Sequence, residues 1–539
     1  MGNMKQYLSR ILYIIWFVVF CVPAIRLFFS GNRALAAGYM FWGLFVLLVI
    51  AFRHTSPLHK MTAGDLPRAV KAVALLVMCA VIALTTLPMG ISPRHNGELI
   101  DFHYQYEGLT ESIMEGHLYL DREVPGELLA MENPYDFEER QKLGFTYEWD
   151  TALYNGRYYV YFGIAPVILL FLPYRMITGR TLLSYHGTQL FTALFIAGMF
   201  ALLHQIAKRF FPKAPYSLVL LLSASFSVMS VWFATGAPAL YCTAISAGIC
   251  FQVWSFFFHM RAAYIEPDFK KQTLFAFLGS LSGALVFASR PPVGIAAFAS
   301  VPMLIHHIRN LKQSRMPERR RMLTQLGLAA LPYVLVAVPL MWYNAQRFDS
   351  PFEFGQAYML TNGDLLSCRN FAEHFDPIQI LSGIGTMLIH FNGLSEQFPF
   401  FTRNGVFVNF PILLASFAMV FLPIRQAVKE TGLKQFVRAL LLVTLVITAF
   451  QTYWVTGLIE RYRMDIYFLL GIAAFIVLLA WHEILPDGKA MRTAVCLLAI
   501  YALFASFFLY MVPEDQNAAH TNDVFFYWTK YAISLGRLQ

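Results

Sequence analysis

The sequence predicts an all-α integral membrane protein with about thirteen transmembrane helices and one long exported loop. Three observations predict it. Apolar residues make up 58% of the 539, aromatic residues 16% and charged residues 14%, with a mean hydropathy of +0.53, which excludes a soluble globular enzyme of ordinary composition. Apolar runs long enough to cross roughly 30 Å of hydrocarbon recur along the chain. Charge is segregated: fourteen carboxylates and three Lys or Arg lie between Glu98 and Asp150, whereas the whole chain carries a formal net charge of +9. Charge inside a bilayer is costly, so a single acidic loop marks the place of chemistry or recognition.

The expected spans are Ile11–Phe29, Ala34–Phe52, Ala72–Pro88, His186–Ile206, Tyr216–Ala234, Pro238–His259, Gln272–Ala288, Val293–His307, Leu326–Trp342, Val406–Leu422, Ala439–Val455, Met464–Trp481 and Thr493–Val512. The first is followed at once by a second without a small-residue cleavage site, which predicts a signal anchor rather than a cleaved signal peptide. Basic residues cluster in the amino terminus (Lys5, Arg10), Arg53–Lys71, Lys208–Lys213, Arg261–Lys271, Arg309–Arg321, Arg425–Arg438 and Lys489–Arg492, and the positive-inside bias assigns these to the cytoplasm. The chain then divides into an amino-terminal hairpin with a cytoplasmic loop (1–71), a transmembrane core (72–342) with the exported acidic loop (90–158), a second exported loop (343–405) and carboxy-terminal helices with an exported tail (406–539).

Parity adds a constraint. If Tyr159–Ile177 crossed, every later basic loop would lie outside, Arg315 and Arg319–Arg321 included. The stretch is therefore expected not to cross; its Pro166 and Pro173 suit a re-entrant or interfacial helix. The glycine-rich Ile378–Phe391 is expected to be a second non-crossing element.

Of the six cysteines, Cys21, Cys79, Cys242, Cys250, Cys368 and Cys496, Cys368 alone falls in a large exported loop, so no disulfide framework is expected. CxxC, HExxH and GxxxxGK[ST] are all absent, which leaves a structural zinc site and a P-loop without support. No matching halves of the kind common in transporters are visible.

Within the acidic loop, Phe102, Tyr106, Leu109 and Ile113 recur at one helical face and Gly116 is placed to end the helix. The opposite face carries His103, Glu107, Thr110 and Glu111, and Asp101 stands at the start. An aspartate before an amphipathic helix is by default its N-cap; Glu107, Glu111 and Glu115, four apart, would repel one another and so are expected to meet solvent, a cation or a polar ligand. Further on, Tyr147–Tyr154 and Arg157–Phe162 flank Asn155-Gly156, the signature of a two-residue hairpin.

A second constellation is GLIERYRMDIYFLL, which places Arg461 and Arg463 immediately before a span. Guanidinium forks match phosphate geometry and stay charged; the plainer reading is interfacial anchoring or pairing with Glu460 or Asp465. Arg290, in the tight hairpin SRPP, is similar but less specific.

The segment GELIDFHYQYEGLTESIMEGHLYLD resembles the first exported loop of the GT-C superfamily of membrane glycosyltransferases that use polyprenyl-phosphate sugars. An aspartate after a transmembrane helix leads an interfacial helix there, and Asp101, Tyr104, Leu109, Ser112, Gly116 and Tyr119 fit that pattern. NGRYYVYFGIAPVILLFLP from Asn155, YNAQRFDSPFEFGQAY from Tyr343 and ERYRMD from Glu460 are similar to stretches of the protein-mannosyltransferase and bacterial lipid-linked types. Two departures stand out. The aspartate follows the third expected span rather than the first, and the loop Ala234–Pro238 holds no second carboxylate.

The resemblance implies a GT-C-like fold and inverting transfer of a sugar from a polyprenyl-phosphate donor to a lipid, glycan or protein acceptor, on the exported side of a bacterial cytoplasmic (inner) membrane, with the N-terminus cytoplasmic and the C-terminus exported. Asp101 would be the catalytic base and Arg461, assisted by Arg463, the phosphate clamp. Tyr104, Glu107, Arg157, Tyr158, Arg290, Arg347 and Tyr462 would line the substrate site. A divalent cation between Asp101 and the phosphate fits the resemblance but has no clear ligand set in the sequence, and no nucleic-acid partner is expected. The rival readings are a transporter or flippase of a lipid-linked saccharide, and a non-enzymatic assembly or sensing protein whose loop binds a partner.

Overall fold

The computed structural model describes residues 11–31, 36, 39–40, 42–43, 46–47, 50, 52, 61–90, 94–95, 98–99, 104–238, 240–312, 318–366, 376–394, 401–454, 460–486, 488–510 and 512. Among them, nine helices are long and apolar enough to cross a membrane: Ser184–Phe210, Tyr216–Gly236, Leu240–Tyr264, Phe269–Ser289, Pro291–Arg309, Met322–Phe348, Lys434–Thr452, Glu460–Ile484 and Lys489–Tyr510. A tenth crossing would be a broken one, because Pro411–Val420 and Leu422–Glu430 meet at 86°. The break follows from extended Phe421 and from Pro423, which has no N–H to continue a helix.

Thirteen spans are thus not reached among the described residues. Ala34–Phe52 lies largely outside them. Ile11–Leu27 and Val70–Thr86 form shorter apolar helices, and Val406–Leu422 is short helix followed by 3-10 turns. The helix expected at Leu326–Trp342 runs from Glu318 to Phe348, so Tyr343, Asn344 and Arg347 belong to it and not to a loop.

Contacts sort the helix ends into two sets. At one end, Ala63 and Gly64 donate backbone bonds to Ala214 and Pro212, and Arg209 donates to the Tyr264 carbonyl at 3.0 Å; the basic connectors lie here. At the other end, Gln189 donates to the Thr86 carbonyl, Arg290 bonds Asp465, and the acidic loop caps the bundle. The helix ending at Thr86 and the helix starting at Ser184 both open on this loop end. Between them, Val167–Thr178 spans 12 residues, about 18 Å of helix rise, against roughly 30 Å of hydrocarbon. Arg175 within it reaches Glu111 at 2.7 Å, and Glu107 is bonded to Ser184. This is the geometry expected of a non-crossing element. Pro377–Ile389 is similarly short.

Tyr216–Gly236 and Glu460–Ile484 are the central helices, almost wholly buried by their neighbours. The acidic loop has a core of its own: Tyr106, Leu109, Leu128, Tyr158 and Val160 are fully buried together with Leu240 from the bundle. Full burial of each such side chain is worth about 1.5–3 kcal/mol, which lets a strongly acidic segment fold against the helix ends. Its first helix, α1, spans Gln105–Glu115 and ends at Gly116, whose φ of 91° places it in the left-handed C-cap conformation. Short helices at Gly126–Ala130 (α2) and Phe137–Leu143 (α3) follow. The hairpin forms with strands Ala152–Tyr154 and Arg157–Tyr159, Tyr154 opposite Arg157. Asn155 and Gly156 both have positive φ, 49° and 70°, as a two-residue turn of this hand requires.

Candidate active site

The loop end gathers a constellation around Arg461, which sits in the single 3-10 turn Glu460–Arg463 that opens the central helix. Its guanidinium lies 4.0 Å from the centre of the Tyr241 ring and 5.5 Å from that of Tyr462. Tyr462 is shared, since the Arg290 guanidinium stands 4.9 Å from the same ring. Arg290 follows the last residue of helix Phe269–Ser289 and donates to both oxygens of Asp465, at 3.0, 3.0 and 2.8 Å. Gln451 donates to Asp465 at 2.6 Å, so this buried carboxylate is fully engaged.

The cations differ in how they are neutralised. Arg290 pairs with Asp465 and Arg403 with Glu460 at 2.7 Å; Arg463 lies 4.0 Å from Glu460. Among the described residues no carboxylate forms an ion pair with Arg461. A cation held against aromatic faces, with no ion-pair partner among the described residues, has the makings of an anion site.

The acidic loop reaches this cation through Asp150. Tyr241 donates its hydroxyl to the Asp150 carboxylate. Asp150 is pinned on both sides, its N–H donating to the Leu360 carbonyl at 3.1 Å and its carbonyl accepting from the Gln105 side chain at 2.9 Å; its φ of 53° is the left-handed conformation that such a corner demands. Tyr161 lies in the same field. Burial, reinforced by the Asp150 carboxylate, raises its pKa well above the ordinary phenol value, which keeps it a neutral donor.

The residues expected from sequence are thus distributed unevenly. Arg290, Arg461 and Tyr462 come together. Asp101 lies outside the described residues, and α1 begins at Gln105 with Tyr104 in the N-cap position, about a third exposed. Glu107, expected on a solvated face, is buried: its carboxylate accepts from the Ser184 N–H and from its hydroxyl at 2.9 and 3.0 Å, satisfying the start of helix Ser184–Phe210. Nor do the three glutamates need a shared ligand, because Glu111 meets Arg175 and Thr181 and Glu115 meets His117. Tyr158 is fully buried in the loop core, while Arg157 is exposed and stacks 4.3 Å from the Tyr119 ring centre. Arg347 donates to the Val160 carbonyl and to Asn344 and so fastens the segment after the hairpin. Arg463 is buried behind the turn.

Sequence reasoning missed Asp150, Tyr161, Tyr241 and Gln451. Asp465 carried a usable signal, a carboxylate inside an apolar run, but as a partner of Arg461 or Arg463 rather than of Arg290. Among the described residues no group of three or more His, Cys, Asp or Glu side chains is arranged to hold a metal ion.

No known family model and no curated protein matches this chain. Among solved structures, it is similar to the Archaeoglobus fulgidus oligosaccharyltransferase in its apo form, with 13% identity over 87% of this chain and 60% of that one and a TM-score of 0.45. The complex of that protein with Zn and sulfate gives 14% identity, 87% and 57% coverage and a TM-score of 0.46. ArnT from Cupriavidus metallidurans bound to undecaprenyl phosphate gives 13% identity, 86% and 69% coverage and a TM-score of 0.42. The chain spans about 60% of the length of the oligosaccharyltransferase.

Proposed function

We propose that this chain is a GT-C-type membrane glycosyltransferase that moves a sugar, with inversion, from a polyprenyl-phosphate donor to an acceptor at the exported end of its helices. The observation that carries the reading is Arg461: a guanidinium packed against Tyr241 and Tyr462 at the loop end, without an ion-pair partner among the described residues. A phosphate at the membrane surface supplies the missing counter-charge, and the fork geometry of arginine suits it.

In this reading the bond from the anomeric carbon to the phosphate oxygen breaks and its electron pair goes to the phosphate. Arg461 meets the charge that develops there, with the Tyr161 and Tyr462 hydroxyls as further donors. The acceptor hydroxyl attacks the opposite face of the anomeric carbon and gives its proton to a carboxylate base, the role proposed for Asp101 on the sequence resemblance. A lipid phosphate leaves readily, so a general acid contributes little. Asp150 acts as a positioning residue, orienting Tyr241 beneath Arg461, and Arg290 with Asp465 fixes the other side of Tyr462.

The test is release of polyprenyl phosphate from a panel of polyprenyl-phosphate sugars by purified protein in detergent. Wild type is expected to turn over at least one donor, Arg461→Ala to lose about 10²–10³-fold in rate, as for removal of one donor to a developing oxyanion, and Asp101→Asn to be inactive. A flippase needs two compartments and would give no turnover here. Absence of turnover from demonstrably folded protein with every donor overturns the enzyme reading.

A further inference from the structure

Immediately before Asp150 the acidic loop forms an open hollow of about 410 Å³, lined among others by Phe137, Arg140, Gln141, Phe145, Tyr147 and Trp149. This volume is within the range of about 300–1,000 Å³ typical of small-molecule sites. Its aromatic rings form a connected series: Phe137 and Trp149 meet edge-on at 5.8 Å, Tyr147 lies 6.2 Å from Trp149, and Phe145 lies 5.8 Å from Tyr147. Trp149 is more than a third exposed, an uncommon arrangement for a large ring unless something covers it.

Arg140 stands at the base of the hollow. It is almost completely buried, and its guanidinium donates to the Pro134 carbonyl at 2.6 Å and to the Thr361 carbonyl. These bonds fasten the loop, yet among the described residues they leave the Arg140 Nε–H, also buried, without an acceptor. Its guanidinium lies 5.1 Å from the Tyr147 ring centre and 5.9 Å from that of Phe137. A buried donor with no acceptor among the described residues can bond an oxygen of a molecule seated in the hollow.

Exposed ring faces beside a buried cationic donor and an exposed amide, Gln141, suit a molecule with an apolar face and a rim of hydroxyls. We propose that this hollow is a carbohydrate subsite that seats a pyranose ring of the acceptor. The proposal rests on the glycosyltransferase reading for its role, since Trp149 of the hollow directly precedes Asp150, whose carboxylate accepts from Tyr241 beneath Arg461. Ring C–H faces pack on Trp149 and Tyr147, while hydroxyls accept from Arg140 and bond Gln141. An anionic lipid headgroup is disfavoured here, because the neighbouring Glu138, Glu139 and Glu148 are all exposed acids.

Saturation-transfer difference NMR tests the subsite without requiring turnover. The protein is placed in lipid nanodiscs, free of sugar-based detergent, with maltotriose, cellotriose and chitotriose as probes. Ring protons of at least one probe are expected to receive saturation, the apparent affinity to fall at least tenfold in Trp149→Ala and severalfold in the exposed Gln141→Ala, and Arg461→Ala to bind the probe as wild type does. Equal saturation in wild type, Trp149→Ala and Gln141→Ala overturns the proposal, as does the absence of a signal from every probe with folded wild type. Donor turnover measured on the same preparations separates the two readings: turnover without probe binding removes the subsite alone, and probe binding without turnover removes the transferase alone.

Discussion

Substituting Asp465 exposes the electrostatics of the site most directly. Its side chain is fully buried and that of Arg290 is 13% exposed, and the pair shares three hydrogen bonds while Gln451 supplies a fourth to the same carboxylate. Asp465→Asn keeps the shape but leaves the guanidinium buried and without counter-charge, which costs about 3–5 kcal/mol when one partner of a buried pair is removed. The lower part of that range is expected, because the asparagine carbonyl oxygen still accepts one bond from Arg290. Replacing both partners, Arg290→Met with Asp465→Leu, removes the charge problem and strands only the Gln451 amide, a penalty of about 1–3 kcal/mol. The double variant should therefore be more stable than the single one, a non-additivity that a denaturant titration of purified protein followed by tryptophan fluorescence would resolve. A loss below about 1 kcal/mol for Asp465→Asn, or a double variant less stable than the single, would refute the assignment of Asp465 as the counter-charge of Arg290.

Four further outcomes follow from named contacts. Glu107→Ala should cost about 1–2 kcal/mol through loss of the acceptor at the start of helix Ser184–Phe210, with Glu107→Gln recovering part of it and neither changing KM for the donor; a KM rise in both would return Glu107 to the substrate site. Gly163→Ala sets a new Cβ against the carbonyls of Ala288 and Ser289, just before Arg290, so about 1–3 kcal/mol of stability should be lost through overpacking together with activity. The Arg175 hydrogen bond lowers the pKa of Glu111; a depressed carboxylate contributes stability above its unfolded pKa and loses it as pH falls through the folded one. The stability difference between wild type and Glu111→Gln should then be constant at neutral pH and vanish below the ordinary carboxylate range, and a difference that persists in acid would contradict the pairing. Single cysteines introduced at Arg320 and Asp121 should label from opposite sides of sealed, oriented vesicles; labelling of both from one side would overturn the expected topology.

Local chemistry was legible in the sequence and long-range pairing was not. Asn155-Gly156 fixes its hairpin because both positions need positive φ, and Gly116 ends α1 for the same reason. Apolar runs located most helices to within a few residues. Glu107 looked solvated because helical periodicity assigns a face but not a neighbour: its partner Ser184 lies 77 residues away. Arg347 looked like a loop arginine because polar Asn344 and Arg347 interrupt the apolar pattern, yet the helix continues to Phe348 and the guanidinium reaches Val160, 187 residues distant. Asp150 gave no local signal, since its place beside Tyr241 is set by backbone bonds to Leu360 and Gln105.

Those long-range bonds share a mechanical role. Glu107 ties the acidic loop to the start of one helix, Arg347 ties the segment after the hairpin to the end of another, Arg140 ties α3 to Thr361, and Gly163 lies directly on the end of helix Phe269–Ser289. Two of these fastenings engage residues, Glu107 and Arg347, that the sequence reading assigns to the substrate site. The side chains left for chemistry are then those near the fastenings but not consumed by them, and Arg461 answers that description on the bundle side. Catalytic groups need placement within a fraction of an ångström, which a loop achieves only when its backbone is bonded to rigid elements on several sides. If the proposed transferase reading holds, the buried charges of this loop support turnover by holding the site in place, and substituting them should lower turnover together with stability.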